Sequence, residues 1–255
     1  MMHQAVAALL DSRRDKRVLA PLGPLAPSDE AAGYALQRQL AEATGVTSPF
    51  GFKIGATTAQ MQAYLGLAGP AAGFVPVGGV HASGARLRYA DYVGLGVECE
   101  VGVRLGRDIP FGHCGRDQAA DAVAEVFPAI EIVEKRYADL AELGTPTLIA
   151  DQVFHAGGVP GTPCPEWRTL DLGAVRGELW VDGSLRGAGH GRDLLGHPFE
   201  ALAWLAGSGA AREFCGLRAG QIVWLGSVTP PIWLDGPCHV KVAFTGLGEV
   251  ELTFT

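Results

Sequence analysis

The chain predicts an α+β protein built on a curled mixed sheet, and three observations carry that expectation. The first 75 residues are written mainly in helical periodicity, and from residue 76 onward short apolar runs with Gly and Pro punctuation outnumber helical segments. The two kinds of segment do not alternate regularly, which excludes a doubly wound parallel sheet. The expected division is a helical N-terminal region over 1–75 and a sheet-based core over 76–255. With 48% hydrophobic and 18% charged residues in a chain of 255, there is enough apolar surface for a well-buried core.

Each element has its own warrant. Val6, Leu9 and Leu10 form the apolar stripe of a first helix, and Arg13-Arg14-Asp15-Lys16-Arg17 reads as its solvated end. Pro21, Pro24 and Pro27 separate it from a second helix with Ser28 as N-cap. Asp29 and Glu30 lie in its first turn, where the dipole favours anions; Ala32, Leu36 and Leu40 continue it to Gly45. Strands are expected at 93–105, 129–133, 177–181, 222–225, 238–244 and 249–254, with Asp182-Gly183 supplying the positive φ of a tight hairpin. Helices are expected at 116–126 and 198–206, the latter with Pro198 in its first turn and Gly207 at its end.

Composition narrows the function. A formal charge of −7 and one short basic cluster argue against a nucleic-acid partner. No apolar run approaches the roughly 20 residues that span a bilayer, and Met1-Met2-His3-Gln4 lacks the basic start and cleavage pattern of a signal peptide. A cytoplasmic protein without membrane association is expected. Cys99, Cys114, Cys164, Cys215 and Cys238 are odd in number and form no C-x-x-C pair, which points to free thiols, with Cys99 in the core. The glycine-rich stretch 183–191 has neither a dinucleotide nor a P-loop frame, and Gly226-Ser227 lacks the frame of a nucleophile elbow. His197, just before Pro198, reads as a helix-start residue; the role of His155 depends on the fold.

The informative pattern is acidic. Glu98 and Glu100 sit in the apolar run Val97-Glu98-Cys99-Glu100-Val101, so in a strand both point to one face while Val97, Cys99 and Val101 line the other. Glu131 interrupts a second apolar run, Ile130-Glu131-Ile132-Val133. Two readings stand at this point: a solvated strand face, or three carboxylates converging on a hard divalent cation such as Mg2+ or Mn2+. An unpaired buried carboxylate costs several kcal/mol, which weighs against leaving Glu131 among aliphatics without a partner.

Six segments, in order across nearly the whole chain, resemble 2-keto-4-pentenoate hydratases and the related 4-oxalocrotonate decarboxylases of the fumarylacetoacetate hydrolase superfamily. They are Gly51-Phe52-Lys53-Ile54-Gly55, Met61-Gln62-Ala63-Tyr64-Leu65-Gly66, Val97-Glu98-Cys99-Glu100, Pro128-Ala129-Ile130-Glu131-Ile132-Val133, the stretch 195–205 beginning Leu195-Gly196-His197-Pro198, and Leu217-Arg218-Ala219-Gly220-Gln221. The resemblance implies a mixed β-roll core behind a helical N-terminal region, and Mg2+ or Mn2+ held by Glu98, Glu100 and Glu131. It implies Lys53 as an active-site lysine that neutralises the substrate carboxylate or relays a proton. Ser227 and Thr229 align with hydroxyls that hold the substrate carboxylate, and Asp151 and Gln152 with polar residues lining the pocket.

The implied substrate is a small 2-oxo or 2-hydroxy-dienoic acid from aromatic meta-cleavage, and the implied reaction is hydration. Decarboxylation of a 2-oxo-enedioate, C–C hydrolysis of an acylpyruvate, or a non-catalytic accessory role are the alternatives. The resemblance also implies a homo-oligomer, with association to a related hydratase or decarboxylase. Two departures stand out. Gly69-Pro70-Ala71-Ala72-Gly73-Phe74 lacks the acidic residue common in hydratases, and Val153-Phe154-His155-Ala156 replaces a Ser-rich stretch. Phe154 then becomes a bulkier pocket wall and His155 a new candidate acid/base.

Overall fold

The structure, a computed structural model, describes residues 4–255; residues 1–3, part of the stretch read above for a leader, lie outside the described residues. Helix α1 (Gln4–Arg14) buries Val6 and Leu9 of the expected stripe together with Ala5 and Ser12, while Leu10 is half-buried. Helix α2 (Glu30–Ala43) is capped one residue later than expected, by Asp29, whose carboxylate accepts from Ala32 N at 2.8 Å. An ionised oxygen at this end satisfies an orphan N–H and also meets the dipole, which a serine hydroxyl cannot do as strongly. The 1–75 region, read as mainly helical, also holds two strands, β1 (Gly51–Gly55) and β2 (Ala71–Val75), which flank α3 (Ala59–Leu65) and pair into the larger sheet.

The remaining strands are β3 (Ala85–Leu87), β4 (Leu95–Leu105), β5 (Val123–Glu134), β6 (His155–Pro160), β7 (Arg176–Val181), β8 (Ser184–His190), β9 (Ile222–Ser227), β10 (Ile232–Trp233), β11 (Cys238–Phe244) and β12 (Gly248–Phe254). The helices among them are α4 (Arg116–Asp121), α5 (Leu140–Leu143), α6 (Thr145–Ala150), α7 (Pro198–Ala206) and α8 (Gly209–Glu213). The helix expected over 116–126 stops at Asp121. From Val123 the chain is strand, because Val123, Val126 and Phe127 pair with Leu105, Val103 and Gly102 of β4. Apolar and β-branched side chains fit that pleated surface better than a helix.

A larger mixed sheet runs β2-β1-β9-β4-β5-β6, with β10 also on β4, and a smaller one runs β3-β12-β11-β7-β8. The β7–β8 hairpin turns at Asp182 (φ 50) and Gly183 (φ 76), as the Asp-Gly pair predicts. The larger sheet curls. After β2 the chain folds back so that Val80 bridges Gly158 of β6 and His81 N donates to Gly158 O at 2.9 Å, drawing the two sheet edges together.

Strand alternation then sorts the side chains. Val97, Cys99, Val101 and Val103 enter the main apolar cluster with Leu179, Val242, Val250 and Leu252 of the smaller sheet. The opposite face of β4 and β5 lines the inside of the curl. At one end of it Val75, Phe127, Ala129, Ile222 and Trp224 form a second apolar cluster; at the other lie Lys53, Glu98, Glu100 and Glu131. The five cysteines are free, His197 caps α7 by accepting from Phe199 N at 3.1 Å, and no helix among the described residues is long and apolar enough to cross a membrane.

Candidate active site

Glu98 of β4 stands directly opposite Glu131 of β5, and Glu100 lies two residues further along the same face. One carboxylate oxygen from each falls within 4.8 Å of the others. Like charges paired across strands repel. The effect shows in the carboxyl groups themselves: burial and then the Glu131 charge push Glu98 up to about 8 and hold Glu100 well above the ordinary range. Burial would raise Glu131 too, but the Lys53 ammonium and the His155 hydrogen bond keep it below.

Glu100 Oε2 accepts from Gly226 N at 2.8 Å. Gly226 has φ +106, and a Cβ there would come 2.5 Å from Thr57 Cγ2, so only glycine can present this donor. Glu100 Oε1 and Glu131 Oε2 are buried and accept no hydrogen bond. Three hard oxygen donors, two of them with unused lone pairs, fit a small divalent cation and fit no softer metal as well.

Behind the carboxylates stands a cation. Lys53 of β1 is buried, its Nζ donating to Val153 O and lying 3.4 Å from Glu131 Oε1. His155 is buried as well, and burial lowers its pKa, so the neutral ring donates Nδ1–H to Glu131 Oε1 at 2.8 Å. The structure thus sets His155 behind Glu131 and not among the cavity-lining residues where an acid/base was expected. Its Nε2 has no partner.

Asp151 and Gln152 also differ from expectation, since neither lines the cavity. Asp151 Oδ1 accepts from Arg13 Nε at 2.9 Å and Nη2 at 2.7 Å; its Oδ2 accepts from Arg136 and, at 2.6 Å, from Tyr137. Burial works against ionisation here, but these three donors outweigh it and hold the carboxyl below the usual range. Gln152 accepts from Arg13 Nη1 at 2.5 Å and donates to Phe74 O at 2.5 Å. With every polar group engaged, the pair is an anchor and not a ligand-binding surface.

What they anchor is unusual backbone. Gln152, Val153 and Phe154 take φ of 63, 51 and 67 in succession. Left-handed geometry costs a residue with a Cβ roughly 1–2 kcal/mol, so such a run persists only where surrounding bonds dictate it. The turn aims Val153 O at Lys53 and Phe154 into the cavity.

The sequence held a sign of Arg13. Positions 6, 9, 10 and 13 follow the i, i+3, i+4, i+7 spacing of one helix face, so Arg13 lies on the inward face, half-buried, and is set apart from the exposed Arg14, Lys16 and Arg17. Arg136 and Tyr137, the other two donors to Asp151, carried no comparable signal.

A cavity of about 710 Å3 opens beside Glu98. Ser227 and Thr229 line it, with Ser227 on the last position of β9 and its Oγ 3.4 Å from Thr229 Oγ1. A smaller recess deeper in is shared by Lys53, Glu98, Val153 and Phe154. Met61, Tyr64 and Trp233 complete walls that no sequence signal marked as functional.

Fold and site together define a sheet-built enzyme scaffold with a buried carboxylate centre. Residues 59–255 match the family described as fumarylacetoacetate (FAA) hydrolase C-terminal, and the chain belongs to it. It is 30% identical over 253 residues to a 2-keto-4-pentenoate hydratase of Burkholderia vietnamiensis, covering 98% of this chain and 95% of the relative. It is 30% identical over 206 residues to a 4-oxalocrotonate decarboxylase of a Pseudomonas species, covering 80% and 78%. Its fold is similar to that of a 4-oxalocrotonate decarboxylase from Pseudomonas putida complexed with magnesium and adipate. That match has TM-score 0.90 and 20% identity and covers 100% of this chain and 98% of the other.

Proposed function

We propose that the protein is a divalent-metal-dependent hydratase of small 2-hydroxy-dienoic acids, with Mg2+ or Mn2+ held by Glu98, Glu100 and Glu131. The observation that carries this reading is the carboxylate triad with its two unused buried oxygens beside a buried lysine and a cavity. When held by these three carboxylates, such an ion would supply positive charge beside the reacting end of a 2-oxo acid, the chemistry that eases enolisation.

The residues do the rest. Lys53 places its ammonium where the substrate's carboxylate end enters the recess, offsetting charge and standing ready to move a proton. Ser227 and Thr229 offer hydroxyls to the same end. His155 and the anchored turn hold Glu131 and Lys53 in register. In balance, the enol O–H proton is lost as C5 gains one, giving the 2-oxo-3-enoate; water then adds its oxygen at C4 and a proton at C3, yielding the 4-hydroxy-2-oxo acid. Resemblance to the hydratases supports this order.

A second reading is decarboxylation of a 2-oxo-enedioate, favoured by the lack of any carboxylate over Ala71-Ala72-Gly73-Phe74 that could handle a proton. In both, residues 76–255 supply most of a mixed β-roll catalytic core, and residues 1–75 complete it with strands β1 and β2 and contribute Lys53 and Arg13. A cytoplasmic homo-oligomer, alone or with a related hydratase or decarboxylase, completes the reading.

Incubation with Mg2+ and a 2-hydroxy-dienoate should bleach the conjugated ultraviolet chromophore, without CO2 release for hydration and with it for the second reading. Mg2+ uptake without turnover of any dienoate, enedioate or acylpyruvate would leave the accessory role.

A further inference from the structure

The metal end of the site handles what all 2-oxo acids share; the far wall of the cavity can tell them apart. Trp233 of β10 lies across Gly96 of β4, where a Cβ would sit 2.6 Å from the indole. Gly96 and Glu98 are two apart on one strand and face the same way, so the indole is planted beside a carboxylate of the triad. Phe154 stands edge-on to Trp233 with ring centroids 6.2 Å apart, put there by its left-handed backbone. Met61 and Tyr64 from α3 and Leu195 close the other sides.

This wall is apolar yet open. Trp233 is 38% exposed and Tyr64 61%, and both face one concavity, an arrangement that marks a ligand surface better than scattered exposure does. Charge is sparse there: among the described residues Lys135 is the one cationic side chain lining the cavity, and beyond Glu98 the one acidic side chain is Asp193. The volume of about 710 Å3 falls within the roughly 300–1,000 Å3 of sites that enclose drug-sized ligands. The tail of a five-carbon dienoate would leave most of it empty.

We propose that the Phe154–Trp233 wall is a tail subsite and that the substrate is a 2-oxo or 2-hydroxy-dienoic acid whose end remote from the carboxylate is uncharged and ring-sized. The proposal rests on the metal-centre reading above. It is tested by binding, with turnover set aside, using three unreactive acids in saturating Mg2+: 2-oxobutanoate, 2-oxo-4-phenylbutanoate and 2-oxoadipate, followed by calorimetry and tryptophan fluorescence.

The phenyl acid should bind at least tenfold tighter than either of the others. Trp233→Leu and Phe154→Leu, each checked for an unchanged far-ultraviolet spectrum, should narrow that ratio to under threefold. Equal binding of the three acids, tightest binding of 2-oxoadipate through Lys135, or a ratio untouched in both variants would overturn the subsite while leaving the metal centre standing. Absence of Mg2+ uptake by the protein alone would overturn the metal reading and the subsite with it.

Discussion

The two faces of strand β4 follow opposite rules. Toward the smaller sheet Val97, Cys99, Val101 and Val103 are fully buried among aliphatic side chains. Toward the inside of the curl the alternate residues Glu98 and Glu100 crowd a third carboxylate with hydrogen bonds left unmade. One face supplies stability and the other consumes it, so residue parity separates folding from chemistry along a single strand. A functional site of this kind is paid for by the packing on its reverse side.

The comparison breaks most sharply at the triad. Glu131→Gln should lower Mg2+ affinity, read by calorimetry, by more than the roughly 10–100-fold typical of losing an outer partner of a metal ligand. Glu98→Gln should do likewise, and it should also raise the melting temperature of the metal-free protein by about 2 °C at neutral pH, by removing the cost of burying a carboxyl beside Glu131. A metal-free protein destabilised by Glu98→Gln would refute the claim that this face costs stability.

Arg13→Ala should come next. Displacing the left-handed turn by about 1 Å is expected to reduce kcat by roughly 10–100-fold while Mg2+ affinity stays within about threefold. Arg13→Lys should not restore it, because one ammonium cannot match a planar fork that meets Asp151 and Gln152 together. On the reverse face, Val101→Ala should cost about 2 kcal/mol in denaturant unfolding and leave metal affinity alone.

The smallest effect is in pH. Because the folded state holds the Glu98 proton up to about 8, it binds more protons than the unfolded chain between the ordinary carboxylate range and that value. Metal-free stability should therefore fall as pH rises through that window, and the melting-point gain from Mg2+ should grow. A gain independent of pH would contradict the Glu98 assignment.

How much of this was legible follows from how far each signal reaches along the chain. A period of two is local, so Glu98 and Glu100 on one face, with Cys99 on the other, were readable from the residues themselves. Lys53, Ser227 and Thr229 meet the triad only through sheet pairings between distant segments, β1 with β9 and β9 with β4, and residue patterns alone could not bring them together. Asp151 and Gln152 were read as pocket-lining, but the inward turn of Arg13 decides which way their polar atoms point. The helix read through to residue 126 failed because Val123 and Val126 had β4 as a partner, a tertiary contact that propensity does not contain.

The anchored turn has a consequence for how the protein comes into being. Glu98 and Glu131 are brought together by the direct β4–β5 pairing, a short loop in the chain, whereas Arg13 and Asp151 are separated by 138 positions. Closing the longer loop costs more entropy and depends on the first helix docking beside α2 so that Arg13 reaches the turn after α6. A nascent or truncated chain can thus pair the strands that carry its three carboxylates before the lysine beside them is aligned, so gathering the acidic cluster and readying the lysine are separate milestones of maturation.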